Sequence, residues 1–248
     1  MAKLLYIIKG EHTDEMLTDE VNAGALACHE VQIGLLSEIA RQTGCTTYFE
    51  DGMSEDSAQF GNDLLEKIAA SSDGEKERIF RILEDWAESQ GAYSDDIDTI
   101  RGFADLWGQG IPIRYYKTED EFDVLGMLKG RVPDEDYALA CSYVMKGGDP
   151  CGLMTSKKLW PVLMIYRDKN IYENVHAQAR GINILFVGRF HSLEDFRKGG
   201  HEFKIYEVEV AFNNDGIVIK GVLPACFKSY IDDLTSKHQL TNKVTYES

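Results

Sequence analysis

The sequence predicts an α/β fold: a central mixed, mostly parallel sheet with flanking helices, a helical middle region and a C-terminal β-hairpin. Three observations predict it. Short apolar runs at residues 3–9, 46–49 and 182–188 end in glycine or acid, as buried strands do. Long segments between them repeat apolar residues at helical spacing. Near the end, residues 203–212 alternate before Asn213-Asn214-Asp215-Gly216, a hairpin turn composition, and Ile217-Val218-Ile219 follows.

Taken in order, the first strand (3–9) gives way to a helix over roughly 14–43. Ala25, Cys28, His29, Gln32, Leu35, Leu36 and Ile39 form its inward face, and Thr43-Gly44 stops it. The second strand, Thr46-Thr47-Tyr48-Phe49, leads to Glu50-Asp51-Gly52. This β-α-β order predicts two parallel neighbouring strands joined by a crossover. Residues 57–108 read as helices with core faces at Leu64, Leu65, Ile68, then Ile79, Ile82, Leu83, Trp86, then Ile97, Ile100, Phe103, Ala104, Trp107. A short strand is expected over 111–116. Thr118 and Glu121 have the spacing of a capping box for a further helix. The glycine- and proline-rich stretch 126–156 reads as irregular, either a lid or an inserted helical pair. A helix carrying Tyr166-Arg167-Asp168 at its start, with Ile165, Tyr172, Val175 and Ala179 on one face, precedes the strand 182–188. The hairpin is expected at a sheet edge, and a helix near 225–237 closes the chain. The whole, 1–248, reads as one α/β domain with 54–157 a mainly helical insertion or cap.

Composition limits the function classes. The 42 acids outnumber the 26 Lys and Arg for a net charge of −16, a field that repels phosphate backbones and anionic lipid. Nucleic acid and membrane surfaces are therefore excluded as expected partners, whereas a small-molecule or peptide substrate, or a protein partner, stays open. The 5 cysteines form no CxxC pair, which argues against a disulfide framework or structural zinc. No apolar run is long enough to span a bilayer and no signal sequence is visible, so a cytoplasmic location is expected.

The candidate site gathers where strands end. Gly10-Glu11-His12 follows the first strand, Glu50 the second, and Gly188-Arg189-Phe190-His191 the later one. In open α/β sheets, sites sit at the carboxyl ends of strands. An imidazole there can take a proton from water, a carboxylate can orient it, and an arginine can stabilise an oxyanion. Alternatively His12, Glu50 and His191 could hold a divalent metal with a position open for water. A Cys226–histidine nucleophilic pair is a weaker candidate, with His201 and Glu207 nearby in sequence.

Strand-Gly-Glu-His, a helix with a second His and a Gln, strand-Glu, Arg-Asp, then strand-Val-Gly-x-x-His occur in this order over 4–53 and 158–200. The pattern resembles the superfamily joining erythromycin esterases, haem-binding ChaN-like lipoproteins, TraB-like proteins and Tiki proteases. The resemblance implies a cleft above the strand ends and hydrolysis of an ester or amide. It implies His12 as base or metal ligand, Glu11 and Glu50 as orienting or ligating acids, Arg167 as oxyanion stabiliser and His191 as second acid/base or ligand. His29 matches a helix position where the family often has His or Arg. The first motif is one residue shorter than the family's usual spacing, and a one-residue slip in an extended chain turns a side chain to the other face. The alternative reading is a non-enzymatic module on the same fold, binding a haem-like ligand or a protein, with Tyr115-Tyr116 and the hairpin as contact candidates.

Overall fold

The computed structural model describes residues 3–10, 19–90, 95–119, 124–148, 159–198, 202–213 and 216–247. Glu11, His12 and Glu121 lie outside the described residues. Seven strands, β1 (Lys3–Gly10), β2 (Thr47–Glu50), β3 (Arg114–Tyr116), β4 (Ile182–Gly188), β5 (Phe203–Asn213), β6 (Gly216–Pro224) and β7 (Thr241–Glu247), form one sheet in the order β3-β2-β4-β1-β5-β6-β7. The strands β3, β2, β4, β1 and β5 run parallel, β6 is antiparallel to β5, and β7 is parallel to β6. The α/β reading of the sequence holds.

The helices are α1 (Asp19–Thr43), α2 (Glu55–Ala70), α3 (Asp73–Gln90), α4 (Asp95–Gly108), α5 (Val124–Leu128), α6 (Asp134–Met145), α7 (Trp160–Gln178), α8 (Glu194–Lys198) and α9 (Lys228–His238). Strand alternation sorts β1 between two layers. Tyr6 and Ile8 pack with Leu35 and Ile39 of α1, Phe103 of α4 and Ile231 of α9. Leu5 and Ile7 pack with Ile171 and Val175 of α7 and Phe196 of α8. Each such side chain, fully buried, contributes on the order of 2 kcal/mol of transfer free energy. The predicted inward face of α1 is buried throughout.

Several expectations are corrected. β1 and β2 are not neighbours, because β4 lies between them and pairs with both. The hairpin is not at the edge: β7 follows α9 and covers β6. The Thr118 hydroxyl donates to the Glu50 carbonyl and accepts from the Met53 amide at 3.1 Å, so it is engaged at the end of β2, while its expected capping partner Glu121 lies outside the described residues. Arg167 and Asp168 stand two turns into α7, not at its start, because the helix begins at Trp160. Ile165, Ile82 and Trp86 are exposed rather than core. Within 54–157, α2 and α4 belong to the layer on the sheet itself, β3 is part of the sheet, and α5 and α6 form a helical pair against Leu163 of α7.

Candidate functional site

β4 ends at Gly188, and a tight turn follows in which the His191 amide donates to the Gly188 carbonyl at 3.1 Å. The Arg189 amide donates to the Gly10 carbonyl at 2.8 Å, tying this turn to the end of β1. The turn folds the His191 imidazole inward, where it is 2% exposed. Its Nδ1 lies 2.6 Å from Asp168 Oδ1 on α7, and its Nε2 lies 2.9 Å from Asp51 Oδ2 after β2. The second Asp168 oxygen accepts from the Ser192 amide at 3.0 Å and its hydroxyl at 2.8 Å. Asp51 Oδ2 also accepts from the Gly188 amide at 3.2 Å.

Next to this row, Arg167 lays its guanidinium against Glu119. Nε is 3.1 and 3.2 Å from the two carboxylate oxygens, and Nη2 is 3.1 Å from Oε1. Such a fork is the strong form of a carboxylate–arginine contact. Arg167 Nη2 also lies 4.0 Å from Asp51 Oδ2. Glu119 is 2% exposed, and the Gly52 amide donates to it at 3.3 Å.

Both imidazole nitrogens face carboxylates, and each donates best when it carries hydrogen. Burial pulls the His191 pKa down, but the hydrogen bonds to Asp168 and Asp51 outweigh it and hold the group above its ordinary value. Burial pushes Asp168 up, but the His191 and Ser192 hydrogen bonds bring its carboxyl below the usual range. Burial likewise works against the Arg167 charge and Glu119 restores it, so the guanidinium titrates higher than usual. His191 is thus clamped between two carboxylates, which favour its charged form. While clamped, both ring nitrogens are turned to carboxylate oxygens rather than to water or a metal ion.

Of the three ligands in the metal reading, His12 lies outside the described residues. No group of three or more His, Cys, Asp or Glu among them is placed to hold a metal ion. His191 is taken by its two carboxylates, and Glu50 belongs to the other face. Along β2, Tyr48 packs in the α1-side core and Phe49 in the α7-side core. Strand parity then sends Glu50 toward α1 and Asp51 toward α7. Asp51, not Glu50, is the carboxylate that reaches His191.

Glu50 and Asp51 both line a cleft of about 560 Å³ beside the sheet edge, bounded by Phe60 of α2, Thr99 and Ile100 of α4, and Tyr115. The Asp51 side chain is 10% exposed, so it connects the buried cluster to this cleft. His29 sits on the α1 side, its Nε2 3.3 Å from Thr99 Oγ1 and its ring edge-on to Phe186. His29 and His191 are therefore not brought together. Gly10 is covered by Gln32 of α1, and a Cβ there would stand 2.2 Å from the Gln32 Nε2. The Gln32 Oε1 is buried without a hydrogen-bond partner among the described residues.

Four participants were given no role in the site by the sequence, although Asp51 and Asp168 stand in the stretches it marked. Asp51 was signalled by parity, two residues beyond the core residue Phe49. Asp168 was signalled as a charge inside the buried stripe Leu163, Met164, Ile171 and Val175. Lys9 was signalled as a lysine in an apolar run. It is 7% exposed and donates to the His191 carbonyl at 2.5 Å, 3.8 Å from Glu207. Glu119 carried no signal, since it lies in a segment that reads as a solvated helix start. The Cys226 candidate falls away from the site. β6 runs antiparallel and carries Pro224 and Cys226 to the opposite edge of the sheet, while Glu207 is paired with Arg197 at 2.7 Å. His201 lies outside the described residues, and His238 is near Glu30.

The fold and site define an α/β protein with a buried Asp–His–Asp cluster at the carboxyl edge of a mostly parallel sheet. No protein-family model, curated protein or solved structure matches the chain.

Proposed function

We propose that this chain is a hydrolase that directs water onto an ester or amide bound in the cleft beside Asp51, as the resemblance to the erythromycin esterase and Tiki superfamily implies. The observation that carries the reading is the row Asp51–His191–Asp168, buried at one end and opening to the cleft at the other. Burying this many charges costs several kcal/mol per ion before pairing, and such clusters beside clefts concentrate at functional sites.

In this reading Glu50, with Glu11 and His12 following Gly10 in sequence, takes the proton of the attacking water. The water oxygen bonds to the carbonyl carbon and the ester C–O or amide C–N bond breaks. The leaving group takes a proton from Asp51, which draws it from His191 Nε2. His191 is then the acid of the pair rather than its base. Arg167 holds Asp51 and Glu119 in place, and because these carboxylates neutralise it, it stabilises developing negative charge in the cleft less than an unpaired arginine would. The unbridged thiols Cys45, Cys141 and Cys226 support a reducing, cytoplasmic setting.

The test is a screen of nitrophenyl esters and aminoacyl amides with the wild type and with Asp51→Asn, His191→Gln, Glu50→Gln and His12→Ala. Loss of one proton-transfer group is expected to lower kcat by about 100-fold or more, with circular dichroism unchanged. Hydrolysis that is equal in all variants overturns the reading.

A second reading is a non-enzymatic binding module on the same fold. The closure of both His191 nitrogens by carboxylates favours it, since a fully satisfied network can simply hold the edge together. Its haem variant expects a Soret shift on titration; His191 has no nitrogen to give to iron.

A further inference from the structure

We propose that the cleft beside Asp51 selects an amphiphilic organic cation: an amine, amidinium or quaternary ammonium carried on an apolar or aromatic body. As a substrate class this rests on the hydrolase reading; as a binding property it is tested by itself.

Two kinds of wall meet in this cleft. Asp56 and Phe60 stand one turn apart on the exposed face of α2, at the i and i+4 positions that bring side chains together. Phe60 is 68% exposed, a large ring left open to solvent at the rim. Below it, Met53, Ile100 and Tyr115 give the cleft an apolar floor. Gly61 permits this floor, because a Cβ there would press on the Tyr115 ring at 3.0 Å. The second wall is acidic: Glu50 and Asp51 line it, and Asp56 faces them from α2.

Among the described residues, no lysine, arginine or histidine lines the cleft. The nearest guanidinium, Arg167, is engaged by Glu119 and Asp51. Asp56 makes no ion pair among the described residues, so its charge is left for something else to meet. An aromatic face with a carboxylate one turn away is the arrangement that holds a cation over a ring. A bare divalent ion would leave most of the volume of about 560 Å³ unfilled and would ignore the apolar floor. An anion would meet carboxylates on two sides. The net charge of −16 also raises the local concentration of cations around the whole chain.

The test uses three planar probes of similar size, benzamidine, benzamide and benzoate, titrated calorimetrically into the full chain. Benzamidine is expected to bind about 10-fold or more tightly than benzamide, with no heat from benzoate. Asp56→Asn is expected to weaken benzamidine about fivefold and leave benzamide unchanged, whereas Phe60→Ala weakens both. Raising NaCl from about 50 to about 500 mM should weaken the cation alone. Equal binding of benzamidine and benzamide, or a benzamidine affinity indifferent to Asp56→Asn, overturns the proposal. The two readings fail separately. Binding of benzamidine by a chain that hydrolyses nothing removes the hydrolase reading and leaves the cation site. Hydrolysis of neutral and cationic esters with the same kcat/KM does the reverse.

Discussion

On the α7 side of the sheet's carboxyl edge, Asp51, His191, Asp168, Arg167 and Glu119 form one chain of contacts, every link 4.0 Å or shorter. On the α1 side the same edge carries Glu50, Gln32 and the His29–Thr99 contact, with an open cleft beside them. Glu50 and Asp51 are adjacent in the chain and both line the cleft, yet only Asp51 also reaches into the His191 network. The difference teaches that at a strand end the parity of the pleat, more than the identity of the residue, decides which carboxylate enters a charge network. One side is closed and ionic; the other is open and leaves room beside it.

Four perturbations separate the two sides, beginning with the largest. Asp168→Ala leaves His191 Nδ1 and two Ser192 donors without their carboxylate, with Asp51 alone still facing the imidazole, and is expected to cost about 3 kcal/mol in urea unfolding. A loss below about 1 kcal/mol would mean the closed side is not held by its charges. Gly10→Ala drives a Cβ into Gln32 and is expected to cost about 2 kcal/mol, most of it recovered when Gln32→Ala is added. Failure of the second change to rescue the first would show that the two residues are not in contact.

Third in size is the pH dependence. The folded pKa of His191 is raised, so its contribution is complete below its ordinary value of 6.5 and is lost as pH climbs through the folded value. The folded pKa of Asp168 is lowered, so its contribution is complete above its ordinary value of 3.8 and is lost as pH falls through the folded value. Stability therefore has a plateau between them. His191→Gln is expected to flatten the alkaline fall of a melting-temperature profile, and an unchanged fall would assign it to another group. The smallest effect is on the open side, where Glu50→Gln should change stability by no more than about 0.5 kcal/mol. A larger loss would make Glu50 a structural residue and weaken its place in the proposed chemistry.

Much of this architecture was legible from local pattern. The α1 face, the strands 182–188 and 203–212 and the hairpin follow from periodicity and turn chemistry, which act over a few residues. Partner choice was not legible. Nothing near β1 or β2 announces that β4 will enter between them, since pairing is settled by packing across the whole chain. β7 was missed because Thr241-Asn242-Lys243-Val244-Thr245-Tyr246-Glu247 alternates with mostly polar residues and reads as a tail, although Val244 and Tyr246 pack against the core. In the site, His191 and Arg167 stood out as functional types in marked places, and the structure puts both in one network. Glu119 could not be found, because an acid in an acidic stretch looks solvated until Arg167, 48 residues away, is seen beside it.

The placement of β4 has a consequence for how the chain comes to exist. Among the described residues, the strands that pair with β1 are β4 and β5, which begin at Ile182 and Phe203. A ribosome that has released the first half of the chain has released a central strand with neither of its neighbours. Closing loops of that length is slow, and the apolar strand waits exposed meanwhile. Assembly is therefore expected to be late and concerted, and a chain ended before residue 188 should be degraded or captured by chaperones rather than accumulate as a folded fragment.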